Sequence, residues 1–286
     1  MSCRYGERRV RVGLVIANTG ANAVENVRTW PAQAESMGFS SAWFTDHVIG
    51  VKAYAPRFGP IWMELLTSLA YAAGQTSRIR LGSGVMVVPY RNPVYTAKAI
   101  ATIDQLCDGR LNVGVGVGWA RSEYKALGVG DVFERRGAFA DEALDVMCRC
   151  WEGGKFGYEG TWTQFREIEF LPTPVQTPRP ELWVGGHSRA ALRRAARFAD
   201  VWHPMGLSPD EYAVTARALD ELSGRHIRRT TRILVDAATD AAKVADQISA
   251  FGDVGCEEVA VDLDTSDPRE FRASAERLAS ALSLGR

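Results

Sequence analysis

Asp46 and His47 stand side by side, and His187 and His203, like His47, fall just after short apolar runs. A carboxylate beside an imidazole can hold and pass a proton near neutral pH, where histidine titrates unperturbed. Asp46 can equally cap a turn, and a loop histidine is commonly a surface hydrogen bonder. With Glu123 and Tyr124, three histidines on one rim make a polar, titratable mouth on an apolar scaffold; His226 lies outside this pattern.

Two glycine patterns add binding chemistry. In Gly185-Gly186-His187-Ser188, glycines bare backbone N–H groups and serine can cap a following helix, whose N-terminus favours an anion such as a phosphate. A tight strand–helix turn needs glycine as well. Gly114, Gly116 and Gly118 alternate with Val113, Val115 and Val117, so a strand places all three on one face. Each costs about 0.5–1 kcal/mol relative to alanine. Either they make room for bulky residues across a tapered interior, such as Trp43, Phe44 or Trp183, or a flat ligand lies against bare backbone.

These residues need rigid elements to hold them. Ile79–Val88 and Leu111–Val117 read as strands apolar on both faces, bracketing a helix with Asn92 as N-cap, Pro93 in its first turn and Asp108-Gly109 as its stop. Tyr95, Ala99, Thr102 and Leu106 recur along it at helical spacing. The other strands are Val10–Ala17, Ser41–Thr45, Glu181–Val184, Asp200–His203, Ile233–Ala237 and Glu258–Leu263. The other helices are Val24–Met37, Ile61–Gly74, Glu134–Trp151, Ser188–Phe198, Pro209–Leu222, Ala241–Phe251 and Pro268–Leu282. Eight strands, each followed by a helix, predict an α/β fold of the closed (β/α)8 TIM-barrel type, whose active site lies at the strands' carboxyl ends. An open doubly wound sheet is disfavoured, because no G-x-G-x-x-G follows the first strand. Residues 152–180, rich in glycine and proline, form an insertion between the fourth helix and fifth strand, with a hairpin over Tyr158–Phe170. Excursions of this size commonly act as lids or binding loops.

The run R-N-P-V-x-x-A-K…I-D-Q-L…G-R-L…G-V-G-x-G-W-x-x-x-E-Y, from Arg91 to Tyr124, resembles the luciferase-like monooxygenase class of flavin and deazaflavin oxidoreductases. It most resembles the branch that uses coenzyme F420. The likeness extends through Thr45-Asp46-His47 and Trp183–Ser188, spans roughly residues 10–205 and fades towards the C-terminus. It implies a hydride-transfer enzyme, with Asp46 touching the coenzyme ring and His47 donating a proton or orienting the substrate. It places a cis peptide at Gly84-Val85, against one face of the ring. Gly116, Gly118, Trp119 and His203 would line the coenzyme, and Gly185, Gly186, His187 and Ser188 would hold its phosphate. Arg189, Arg193 and Arg197 form a stripe that could meet an acidic tail or face solvent. Some F420-dependent members carry a glutamate where this chain has Trp119, which weakens any transfer of sugar-phosphate chemistry. Asp104 and Arg110 belong to the pattern but read as structural.

The 286 residues suit one domain, with residues 1–9 as a loose basic lead-in. Zero formal net charge recruits neither nucleic acid nor an acidic membrane. Five cysteines without C-x-x-C spacing fit reduced thiols and no structural zinc, and no apolar run suits a membrane span or signal peptide. A cytoplasmic enzyme acting on a small organic molecule is expected. Relatives of this kind often pair as dimers, though the sequence shows no diagnostic apolar patch. The basic run Arg225–Arg232 reads as an exposed approach to the seventh strand. Competing readings are an FMN-dependent monooxygenase on the same scaffold, a metal-dependent barrel hydrolase using Asp46, His47, His187 and His203, and a coenzyme binder without turnover. Against the hydrolase, the first strand lacks a His-x-His pair.

Overall fold

Eight parallel strand positions close on themselves in a computed structural model of the chain, which describes residues 10–50, 59–265 and 267–285. The expected lead-in 1–9 lies outside the described residues. The barrel runs β1 (Arg11–Val15), β2 (Ser41–Phe44), β3 (Arg80–Ser83) with its continuation β4 (Met86–Val87), then β5 (Leu111–Gly116). After a two-stranded excursion, β6 (Gly154–Glu159) and β7 (Gln164–Phe170), it resumes with β8 (Glu181–Gly185) and β9 (Val201–His203). It ends with β10 (Arg228–Asp236) and β11 (Glu258–Asp264). Parallel pairing of β1 with β11 and of β3 with β5 completes the ring.

Helices α1 (Ala23–Ser36), α2 (Leu65–Gln75), α3 (Pro93–Leu106), α4 (Arg121–Ala126), α5 (Arg136–Glu152) and α6 (Arg189–Phe198) surround it. So do α7 (Pro209–Ser223), α8 (Ala241–Asp253) and α9 (Pro268–Ala281). None of the described helices is long and apolar enough to cross a membrane. Asn92 caps α3 as its sequence demands, accepting the N–H groups of Val94 and Tyr95. The helix faces the barrel with Thr96, Ala97, Ile100, Ala101 and Ile103, however, leaving Tyr95 and Leu106 exposed. Small residues let the helix lie close to the strands, so bulk alone gave the wrong phase.

Inside the barrel Trp43, Trp183, Val15, Val201 and Ala260 pack together. A Cβ at Gly13 would meet Trp43 Nε1 at 2.7 Å, and one at Gly82 would overlap the same indole. These two glycines, on the strands flanking Trp43, are the ones that make room for a bulky ring. At the amino ends of the strands a polar network stoppers the base. Trp43 Nε1 donates to Ser41 Oγ, which donates to buried Glu258 at 2.5 Å, while Arg228 pairs with Glu181. Burial pushes the Glu258 carboxyl above its ordinary range, against the pull of the Ser41 hydrogen bond.

The 152–180 excursion is a strap rather than a lid. Its hairpin follows the flank of α5 formed by Phe139, Glu142 and Asp145. Glu142 accepts the N–H groups of Thr161, Trp162 and Thr163, Tyr158 donates to Asp145, and Trp162 packs on Phe139. The segment leading from the hairpin to β8 is tied down by buried Asp104, which accepts the N–H groups of Val175 and Gln176. Arg110 likewise holds the carbonyls of Ala73, Thr76 and Ile79. The basic run is not an exposed approach: Arg228, Arg229 and Arg232 are residues of β10 itself, each paired with a carboxylate.

Candidate active site

Three consecutive anchors fix the chain leaving β2. Asn18, wholly buried, accepts the Thr45 N–H and hydroxyl and donates to the Thr45 carbonyl. Asp46 accepts two parallel bonds from Arg91, each 2.7 Å, and the Val87 N–H at 2.7 Å. Burial would lower the Arg91 pKa, but Asp46 and Glu64 raise it, so Arg91 stays charged. The Asp46 side chain has no exposed surface. It therefore clamps the strand end to the turn after β4, and the carboxylate expected from the sequence to touch a coenzyme ring is turned to Arg91 and Val87 instead.

The third anchor is Glu123. His47 Nδ1 lies 2.8 Å from Glu123 Oε2, and the Val48 N–H donates to Oε1 at 2.7 Å. The carboxylate hydrogen-bonded to His47 is thus Glu123, whereas Asp46 pairs with Arg91 and Val87. Burial raises the Glu123 pKa, yet the hydrogen bonds from His47 and Val48 outweigh it, so the carboxyl sits below its ordinary value. Tyr90 donates to the same Oε2 at 2.9 Å; burial and the nearby Glu123 charge push its phenol well up, keeping it protonated. Glu123 is delivered by α4, one turn and a half long, which is held by its neighbour Tyr124. The Tyr124 ring is fully buried, edge-on to Tyr90 and Phe133, and its hydroxyl donates to the Val117 carbonyl. The pairing spans 76 residues. The sequence signals for Glu123 are its place with the rim histidines and the E-Y of the G-W-x-x-x-E-Y pattern. The His47 ring is flanked by the indoles of Trp62 (4.4 Å) and Trp119 (5.9 Å), and Trp119 is half exposed.

On the next strand the Gly84-Val85 peptide is cis, at the place the resemblance gives it. Arg232 donates to the Gly84 carbonyl at 2.7 Å and pairs with Asp262, pinning this corner from across the barrel. The glycine face of β5 answers the earlier alternatives with a third. A Cβ at Gly114 would collide with the Ser83 carbonyl, one at Gly116 would lie 2.6 Å from Val85 Cγ2, and one at Gly118 2.7 Å from Val87 Cγ1. These glycines admit the chain of β3 and β4, not an indole, and their bare faces are covered by protein. Gly185 does the same, with Val85 Cγ1 at 3.0 Å. Val85 is the partly exposed residue in an otherwise buried run, so it forms an apolar floor seated on Gly116 and Gly185.

His203 is not on the rim. It is buried inside the barrel, stacked on Trp43 at 4.8 Å and edge-on to Trp183, with Nδ1 2.8 Å from Thr230 Oγ1. Burial, then the Arg232 charge, pushes its pKa down to about 3, so the ring is neutral. Among the described residues neither His203 Nε2 nor Trp183 Nε1 finds a hydrogen-bond partner. His187 and Ser188 are exposed at the turn after β8, where Gly186 has φ +89° and Ser188 caps α6 through the Ala191 N–H. Arg189, Arg193 and Arg197 are exposed, whereas Arg194 is buried against Asp141. The residues that a metal hydrolase would need do not converge. Asp46 is spent on Arg91 and His203 lies in the interior, and no cluster of three possible metal-ligating side chains occurs among the described residues.

A half-buried valine at the Gly84-Val85 corner, an exposed helix N-terminus after β8 and a buried polar pair without partners suit a flat, phosphate-bearing coenzyme. Residues 11–282 match the family model described as luciferase-like monooxygenase. An uncharacterised protein of Mycobacterium bovis is 31% identical over 263 residues, covering 87% of this chain and 91% of its own. An FMNH2-dependent dimethylsulfone monooxygenase of Pseudomonas putida is 31% identical over 134 residues, 46% of this chain and 37% of that protein. Among solved structures, an F420-dependent secondary alcohol dehydrogenase superposes with TM-score 0.82 at 16% identity, covering 97% of this chain and 99% of the other. The oxygenating constituent of 3,6-diketocamphane monooxygenase from Pseudomonas putida, in complex with FMN, gives 0.78 at 16% identity, covering 96% and 98%.

Proposed function

This chain belongs to the luciferase-like monooxygenase family, and from that premise we propose an oxidoreductase that transfers a hydride between coenzyme F420 and a small uncharged organic substrate. The observation that carries the reading is the His47–Glu123 pair, with His47 just past the end of β2 and the Gly84-Val85 corner just past the end of the adjacent β3. When bound, the deazaflavin supplies or accepts the hydride. The chain does the rest. Val85, seated over Gly116, floors the ring, and half-exposed Trp119 bounds it on the β5 side. Gly185, Gly186, His187 and Ser188 take the phosphate at the N-terminus of α6. His203, neutral and unfilled at Nε2, gives a polar contact from below. Trp62 and Trp119 hold an apolar substrate against His47, which handles its proton. Two chains pairing through exposed Tyr71, Tyr95 and Leu106 on α2 and α3 belong to the same reading, and sedimentation checks it.

FMN is the second reading, favoured by the sequence match to an FMNH2-dependent monooxygenase. Titrating the purified protein in parallel with F420, FMN and riboflavin, read by fluorescence, separates the two. Tighter binding of F420 supports the proposal, and preference for FMN or indifference to both overturns it. Riboflavin lacks the phosphate, so it is expected to bind about 10–100-fold more weakly than FMN if the turn at 185–188 holds that group.

A further inference from the structure

We propose that Glu123 is a positioning residue of the reaction: its carboxylate locks His47 in the tautomer carrying hydrogen on Nδ1 and leaves Nε2 to exchange the substrate's proton. This deepens the reading above and rests on it. A carboxylate has no proton to give and only accepts hydrogen bonds. Glu123 meets a backbone N–H at Oε1 and, at Oε2, a tyrosine hydroxyl that burial keeps protonated. Both partners are donors, and both hold it in the ionised form. The contact 2.8 Å away at His47 Nδ1 must then be an N–H pointing at Glu123. A neutral imidazole carries one such hydrogen, so Nε2 keeps its lone pair.

The consequence for turnover is specific. In the oxidising direction the substrate O–H bond breaks and its proton goes to Nε2. A deazaflavin held there would accept the adjacent C–H hydride as the C=O bond forms. The imidazolium then faces the Glu123 charge directly. Reduction of a carbonyl runs the same transfers in reverse, with Nε2 giving up the proton. Tyr90 and Val48 keep the carboxylate from rotating, so the imidazole is aimed as well as charged.

The test labels the full chain with ¹⁵N-histidine and reads the His47 ring nitrogens by NMR without coenzyme, the resonance being assigned by its loss in His47→Gln. Hydrogen on Nδ1 is expected; hydrogen on Nε2 in the unsubstituted protein overturns the proposal outright. In Glu123→Gln, whose amide can donate as well as accept, the single tautomer is expected to give way to a mixture. With the coenzyme the titration selects, kcat falls about 100-fold. KM and coenzyme affinity stay within about 3-fold, and Glu123→Asp recovers part of the loss. Equal losses in KM and coenzyme affinity would mean a merely structural carboxylate. If neither coenzyme binds, the functional reading fails while the NMR result still decides the tautomer. If Glu123→Gln does not fold, the unsubstituted protein's spectrum decides alone.

Discussion

Arg91 grips Asp46 through two parallel hydrogen bonds, Nη1 to Oδ2 and Nη2 to Oδ1. This planar fork joins the end of β2 to the turn after β4. A lysine cannot reproduce it. Arg91→Met leaves a fully buried carboxylate with one remaining backbone donor, and a loss of about 3–5 kcal/mol in urea unfolding is expected. Arg91→Lys recovers only part. A loss below about 1 kcal/mol would mean that the clamp is not what holds His47 in place.

Gly116 and Val85 form a matched pair. Gly116→Ala drives a methyl group against Val85 and is expected to cost about 1–3 kcal/mol by overpacking. Val85→Ala frees that space, so the double variant should be more stable than Gly116→Ala alone. A double-mutant cycle in urea reads the coupling, and strict additivity would refute the fit.

His203 gives the protein an acid-side weakness. The folded ring protonates only near about 3, whereas an unfolded chain takes up the proton near the ordinary 6.5. Between those values the unfolded state binds a proton that the folded state refuses, so stability falls as pH drops through the window. His203→Gln removes this contribution. Relative to that variant, the unsubstituted protein should lose up to about 1.4 kcal/mol per pH unit below about pH 6. Parallel slopes in the two proteins would contradict it.

The strap has a different signature from a lid. Glu142→Ala orphans the three N–H groups at the hairpin tip and should cost about 1–3 kcal/mol. It should leave KM unchanged. A KM raised about tenfold by Glu142→Ala or Trp162→Ala would restore the hairpin to a role over the substrate.

Much of this architecture was legible in the chain. Alternation of apolar runs with capped helices gives eight strand–helix units, because each Asn, Ser or Asp cap and each stop is a local signal. Asn92 and Ser188 cap where their spacing says they must. What was hidden is what distance in sequence hides. Nothing near His47 announces Glu123 on a helix after the fourth barrel strand, and the adjacent Asp46 looked the better partner until Arg91 claimed it. Arg232 read as surface charge because its partners, the Gly84 carbonyl and Asp262, lie 148 and 30 residues away. The spacing of the β5 glycines says that they need space, and only the fold shows that the chain of β3 and β4 fills it.

The network of Trp43, Ser41 and Glu258 fills the barrel at the amino ends of its strands. On the proposed function, coenzyme and substrate would therefore be met from the opposite ends, where the Val85 corner and the indoles beside His47 lie.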